Sequence, residues 1–125
     1  MRLRLAAARV ARLATVTPEG APHVVPCCFA LEGDTIFSAV DGKPKSTLQL
    51  KRLANIRANP SVALVVDYYD DDWSQLWWVR IDGRARVTES SHAIEYLQAK
   101  YQQYVATPPP GPVIEIAIER WRAWP

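Results

Sequence analysis

The sequence predicts a mainly β domain of the α+β class, with six strands curled into a small barrel and two main helices. Three observations predict it. Six segments rich in Val, Ile, Leu and aromatic residues are bounded by Pro, Gly, Asn and Asp, the pattern of strands between turns. The first three are joined by tight turns, which suit antiparallel neighbours. The two longer helical patterns are too few to cover both faces of a parallel sheet, whereas a mainly antiparallel sheet of this size can close on itself.

In chain order, Met1 to Arg9 has the spacing of a short helix, with Leu3, Ala6, Ala7 and Val10 on one face. Arg12 to Val16 reads as a strand and Thr17-Pro18-Glu19-Gly20 as the turn after it, with Pro second and Gly fourth. Pro22 to Leu31 is the second strand. Its internal Pro26 cannot donate to a ladder, so the strand is an edge there, bulged, or turned toward a ligand. Glu32-Gly33-Asp34 turns into a third strand, Thr35 to Val40, and the three are expected to form an antiparallel meander.

Ser46-Thr47-Leu48-Gln49 matches a capping box opening a helix from about Thr47 to Ala58. Leu50, Leu53, Ala54 and Ile56 supply its apolar face, and Asn59-Pro60 stops it. Val62 to Tyr69 is the fourth strand, followed by an acidic loop, Asp70 to Asp72. Leu76 to Thr88 alternates clearly: Trp77, Val79, Ile81, Ala85 and Val87 share one face, and Arg80, Asp82, Arg84, Arg86 and Thr88 the other. Gly83 within it signals a bulge or a close backbone approach. Ser90 or Ser91 caps a helix running to about Val105, with Ile94, Leu97, Tyr101 and Tyr104 in line. A stiff connector with four prolines, Thr107 to Pro112, leads to the last strand, Val113 to Trp124, whose Ile114, Ile116 and Ile118 face inward.

The 125 residues fit one domain, 1–125. A net charge of +2 is too small for a general binder of nucleic acid or membrane surfaces. Cys27 and Cys28 are adjacent, so in a strand they point to opposite faces and are not expected to form a disulfide. No Cys/His cluster has metal-ligand spacing, so no metal is expected. No secretory signal or membrane-spanning run is read, which makes the cytoplasm the expected location. Five Trp are many for so short a chain, and some are expected at a subunit interface or in a ligand pocket.

The charge is unevenly placed. Between Gly42 and Val66 stand Lys43, Lys45, Lys51, Arg52 and Arg57, with no acid. A helix start carries partial positive charge, so a purely structural design would put acids there. Cations, the hydroxyls of Ser46 and Thr47, and free backbone N–H groups make an anion site instead; a solvated basic face is the plainer alternative.

The meander, the block LQLKRLANIRANP, the strand WWVRIDGRARV and the helix-then-strand ending together resemble the pyridoxamine 5'-phosphate oxidase-like superfamily, the PPOX-class split β-barrels. Within it, KPKSTLQLKRLANIRANP and DWSQLWWVRIDGRARV are similar to a mycobacterial-type branch that uses the deazaflavin coenzyme F420. The resemblance spans about Ala11 to Trp124. It implies a flavin-binding split barrel whose cofactor phosphate is held early in the second helix, at Lys51 and Arg52, with Asn55 one turn on. FMN oxidases of the family often carry Arg-Lys where this chain has Lys-Arg. Lys43, Lys45 and Ser46 add to the site, and the extra cations suit F420, with its phosphodiester and oligoglutamate, better than FMN. The ring site implied by the resemblance lies along Val24, Val25, Pro26, Ser38, Ala39 and Val40. A partner subunit completes such pockets, so a homodimer is expected, with Trp77, Trp78, Trp121 and Trp124 as candidates for stacking or interface packing.

The expected function is hydride transfer between F420 and a small organic substrate, the cofactor carrying the chemistry. The alternatives are an FMN-dependent oxidoreductase of the same superfamily and a module that binds flavin or heme without turnover. No residue is singled out as catalytic. His23 and His92 read as surface residues, the cysteines as buried spectators and Asp70 to Asp72 as a solvated loop.

Overall fold

In the computed structural model, residues 1–40 and 47–125 are described, the side chains of 47–50 excepted. Elements follow in the order α1 (Arg2–Ala7), β1 (Ala11–Val16), β2 (Pro22–Cys27), β3 (Ala30–Glu32), β4 (Thr35–Ala39), α2 (Thr47–Ala58), β5 (Ser61–Tyr68), β6 (Trp77–Thr88), α3 (Ser91–Lys100), α4 (Gln103–Ala106) and β7 (Val113–Trp124). The strands form one sheet ordered β2-β1-β5-β6-β7-β4-β3, with every neighbouring pair antiparallel.

That order shows why the sheet must curl. β2 and β3 are its two outermost strands, yet only Cys28 and Phe29 separate them. Three peptide steps reach at most about 11 Å. The opposite edges of the sheet are therefore brought together at this joint, and the sheet closes as a split barrel.

The joint corrects two expectations. The segment read as one strand, Pro22 to Leu31, is two, so there are seven strands rather than six. The three-strand meander does not form, because β2 pairs with β1 while β3 pairs with β4. Leaving one ladder for the other strands the backbone of Phe29, and Tyr101 satisfies it. The Phe29 N–H donates to the Tyr101 hydroxyl at 3.0 Å, and that hydroxyl has the Phe29 and Arg9 carbonyls as acceptors, each at 2.9 Å. Burial pushes the Tyr101 phenol up to about 12, so it remains a donor. Tyr101→Phe leaves a buried N–H unpaired and is expected to cost about 1–3 kcal/mol, read from chemical unfolding.

The same residue breaks the predicted helix. Ser90 caps α3, accepting from the Ala93 N–H at 3.1 Å. The helix then stops at Tyr101, whose backbone is extended, before the short α4. Leu97, Tyr101 and Tyr104 are buried as expected, with Ile94 partly so. In α1 the expected face is wrong: Leu3 is exposed and Leu5 is the buried anchor. With so short a helix, one side chain reaching the barrel decides which face is inside. Arg2 and Arg4 spread over the rings of Trp121 and Trp77, at 5.3 and 5.2 Å from the centroids.

Inside the barrel lie Leu13, Ile36, Leu64, Ile81, Ile114 and Ile116, and α2 adds Leu53 and Ile56. Ala54, expected on the same face, is exposed. In β7 the inward positions change parity. Ile114, Ile116 and Ile118 pack inward first, then Trp121 and Ala123. The cause is a bulge: Asp82 pairs with Arg120 but Gly83 with Ile118, leaving Glu119 unopposed. Gly83 is needed there, since a Cβ on it would stand 2.5 Å from the Ala117 carbonyl oxygen. Among the described residues no helix is long and apolar enough to cross a membrane.

Candidate functional site

The split has two lips. Along one, β2 pairs only with β1, so among the described residues its other edge has no strand beside it. Along the other, β4 loses β3 after Phe37 and continues as Ser38 and Ala39, paired with β7 alone. These are the segments at which the ring site was expected. Val24 and Pro26 are exposed, Val25 half-buried, Ser38 and Ala39 buried, and Val40 half-buried. Pro26 sits on the edge strand, where its missing donor costs no ladder bond. The Ser38 hydroxyl donates to the Cys28 carbonyl at 2.8 Å and ties the lips where β2 ends.

Helix α2 presents Arg52 to this end. Arg52 is only 7% exposed, and its buried Nε has no hydrogen-bond partner among the described residues. Burying a guanidinium costs several kcal/mol unless an anion and acceptors compensate it. Its charge acts on the Cys27 thiol, which burial pushes up and the Ser38 hydrogen bond and Arg52 pull back. A buried, incompletely paired cation at the mouth of an open split fits the phosphate of a cofactor.

The remaining predicted residues separate. Lys51 is exposed. Arg57 is exposed in the last turn of α2, where a cation complements the helix dipole. Asn55 is 1% exposed and donates to the Thr15 hydroxyl at 3.1 Å, so it pins α2 to β1 and does not open outward. Lys43, Lys45 and Ser46 lie outside the described residues. Trp77 packs against the barrel core beneath Arg4, while Trp78 is on the opposite face, paired across strands with Trp124. Two adjacent strand residues cannot line one pocket from one face, so the two indoles serve different surfaces.

Three residues escaped the sequence reading. His23, expected at the surface, is half-buried with Nδ1 fully covered and unpartnered; it shares the inward parity of Cys27, a signal the alternation did carry. Tyr101 was placed in the core but its hydroxyl partners were not foreseeable. Lys100, at the end of α3, looks like a dipole-complementing surface lysine. Instead its Nζ is covered, lies 3.8 Å from the Phe29 ring centroid, and has no hydrogen-bond partner among the described residues.

Burial and the neighbouring Arg9 lower the Lys100 amine from 10.5 to about 8. The folded protein therefore gives up this proton more readily than the unfolded chain. The penalty is complete below about pH 8 and fades as pH rises toward 10.5. Lys100→Met removes it. The variant's stability advantage over wild type is expected to shrink across that window; titrating the unfolding free energy of both proteins tests this while cancelling the other groups.

Comparison with known proteins agrees with this fold. Residues 1–125 match the family model for pyridoxamine 5'-phosphate oxidase. The chain is 29% identical over 117 residues to an F420H(2)-dependent biliverdin reductase of Mycobacterium tuberculosis, a match covering 89% of this chain and 76% of that protein. It is similar to the crystal structure of an FAD-binding protein from Mesorhizobium loti, with 25% identity, a TM-score of 0.73, and 98% and 89% of the two chains covered. A heme binding protein from Mycobacterium smegmatis shares the fold at 18% identity and a TM-score of 0.77, over 98% of this chain and 51% of that one.

Proposed function

Because the chain belongs to the pyridoxamine 5'-phosphate oxidase family, we propose that it is an oxidoreductase that binds coenzyme F420 and moves a hydride between the deazaflavin and a small unsaturated molecule. The observation that carries this reading is Arg52, a buried guanidinium whose Nε lacks an acceptor, set beside the open split. The M. tuberculosis relative supports F420 over FMN, as does the basic segment before α2. FMN is the second reading, favoured by the family and by the FAD-binding neighbour.

In this reading Arg52 and Lys51 take the cofactor's anionic end, with Lys43, Lys45 and Ser46 preceding them, and Asn55 positions the helix through Thr15. The unpaired backbone edges at Val24, Val25 and Pro26 and at Ser38, Ala39 and Val40 meet the edge of a flat ring system. When bound, the deazaflavin supplies the hydride chemistry. The chain's own contribution is a fixed cation, two rigid lips and an aliphatic barrel wall that keeps water from one side.

A second copy of the chain is proposed to complete the pocket and to use the outer sheet face. That face carries an open cleft of about 360 Å³ whose lining includes Ala14, Val16, Pro22 and Ala63, with Asp82 and Glu119 at its border. Arg120 lies across from Asp82 on the neighbouring strand, so the surface offers both signs of charge to a two-fold partner. The cytoplasm is its proposed location.

The test is turnover. Purified protein is mixed with reduced F420 and a panel of acceptors that includes biliverdin and quinones, and the cofactor's oxidation is followed by absorbance. The reading expects oxidation faster than in protein-free controls with at least one acceptor. Transfer from reduced FMN alone would select the second reading, and no transfer from either would refute both.

A further inference from the structure

Among the described residues, Arg52 is not the only cation without an acid partner near the split. Lys100 also reaches the β2–β3 joint, against Phe29, and the thiol of Cys27 feels both charges. Among the described residues, the groups acting electrostatically on Lys100 are Arg9, Cys28 and Cys27, with no carboxylate among them.

The Lys100 ammonium is covered, yet among the described residues it has no acceptor for its three N–H groups. The rings of Phe29 and Tyr101, at 3.8 and 5.3 Å, offer cation–π attraction. That attraction is worth less than a hydrogen-bonded carboxylate and accepts no directed hydrogen bond as strong. Arg9 makes the position harder to explain as packing alone. It stands over the opposite cation's own neighbour, Tyr101, at 4.7 Å, and donates to the Lys100 carbonyl at 3.1 Å. Two like charges are thus held together at the end of α3, one covered and one exposed, beside the half-exposed Cys28.

We propose that Lys100 and Arg9 form a second anion subsite, distinct from the one at Arg52, which holds a carboxylate of the substrate. This rests on the redox reading for the word substrate, and it narrows the substrate to an unsaturated molecule bearing a carboxylate. The covered amine supplies the charge-assisted hydrogen bond, and Arg9 closes over the carboxylate from the exposed side. Phe29, fully buried at the joint, packs its ring 3.8 Å from the amine and fixes where it stands.

The probe pair is benzoate and its neutral isostere benzamide, titrated into wild-type protein and into Lys100→Met while the lysine side-chain methylene signals are followed by NMR. Saturable shifts at Lys100 with benzoate, at least tenfold weaker with benzamide, are the expected result, and benzoate is expected to raise the unfolding midpoint of wild type but not of Lys100→Met. Equal responses to the two probes, or none at Lys100, would overturn the subsite. Arg9→Gln is expected to weaken the benzoate response several-fold without disturbing the fold, since Arg9 is exposed. An F420 titration on the same samples separates the two proposals: unchanged cofactor binding with no benzoate response sinks the subsite alone, whereas lost cofactor binding in wild type sinks the redox reading.

Discussion

Arg52→Met is expected to weaken binding of F420, or of FMN if that is the cofactor, by up to about 100-fold, while leaving the ligand-free protein at least as stable as wild type. The two halves of this result have one cause. A hydrogen bond to a charged group contributes about 1.5–3 kcal/mol, and each 1.4 kcal/mol is a factor of ten in affinity. Without the cofactor, the same guanidinium is a buried charge with an unpaired Nε, which costs stability. Methionine keeps the stem and its packing but removes the charge. Thermal unfolding with and without cofactor reads both effects: wild type gains stability on adding ligand, and the variant loses most of that gain. Lys51→Ala, at an exposed position, is expected to weaken binding by less than tenfold.

Gly83→Ala is expected to cost about 3 kcal/mol and to lower the unfolding midpoint more than any other single methyl added to the sheet. The new Cβ would lie 2.5 Å from the Ala117 carbonyl oxygen and 2.9 Å from Ile116 Cγ2. The first is backbone in a central strand, so relief requires moving β7 away from β6. Overpacking a well-packed site typically costs 1–3 kcal/mol, and a clash with backbone belongs at the upper end. The bulge at Glu119 sits beside this contact and sets which β7 residues face the core. A shifted β7 would thus disturb Trp121 as well, so loss of the native tryptophan fluorescence should accompany the loss of stability.

Most of the fold was legible because alternation and turn residues are local signals. Trp77 to Val87 announced its inward face, Gly83 its close approach, Pro26 its edge, and Asn59-Pro60 the end of α2. The long-range consequences were not local. Nothing in Cys28-Phe29 says that a strand leaves one ladder for the other edge of the sheet, since the segment remains extended and apolar throughout. The residue that makes the change possible, Tyr101, is 72 positions away. Leu5 was missed because a helix of six residues has too few turns for its periodicity to select a face.

The candidate site was legible in composition and less so in geometry. A run of cations without acids marked α2, and Arg52 proved to be the buried one. Sequence could not say which of Lys51 and Arg52 turns inward, because that depends on how α2 lies against β1 and β6. Asn55 shows the same limit: its side chain is committed to Thr15, a partner 40 residues away. Lys100 carried no sequence signal at all, since a lysine ending a helix is ordinary.

The central claim is that the split beside Arg52 receives the anionic end of a flavin-type cofactor. Equilibrium titration of the purified protein with F420, and separately with FMN, followed by cofactor fluorescence, tests it most directly. The account predicts saturable binding of F420, tighter than that of FMN and weakening as salt is raised. Binding of neither cofactor, in protein whose unfolding shows an intact fold, would contradict it.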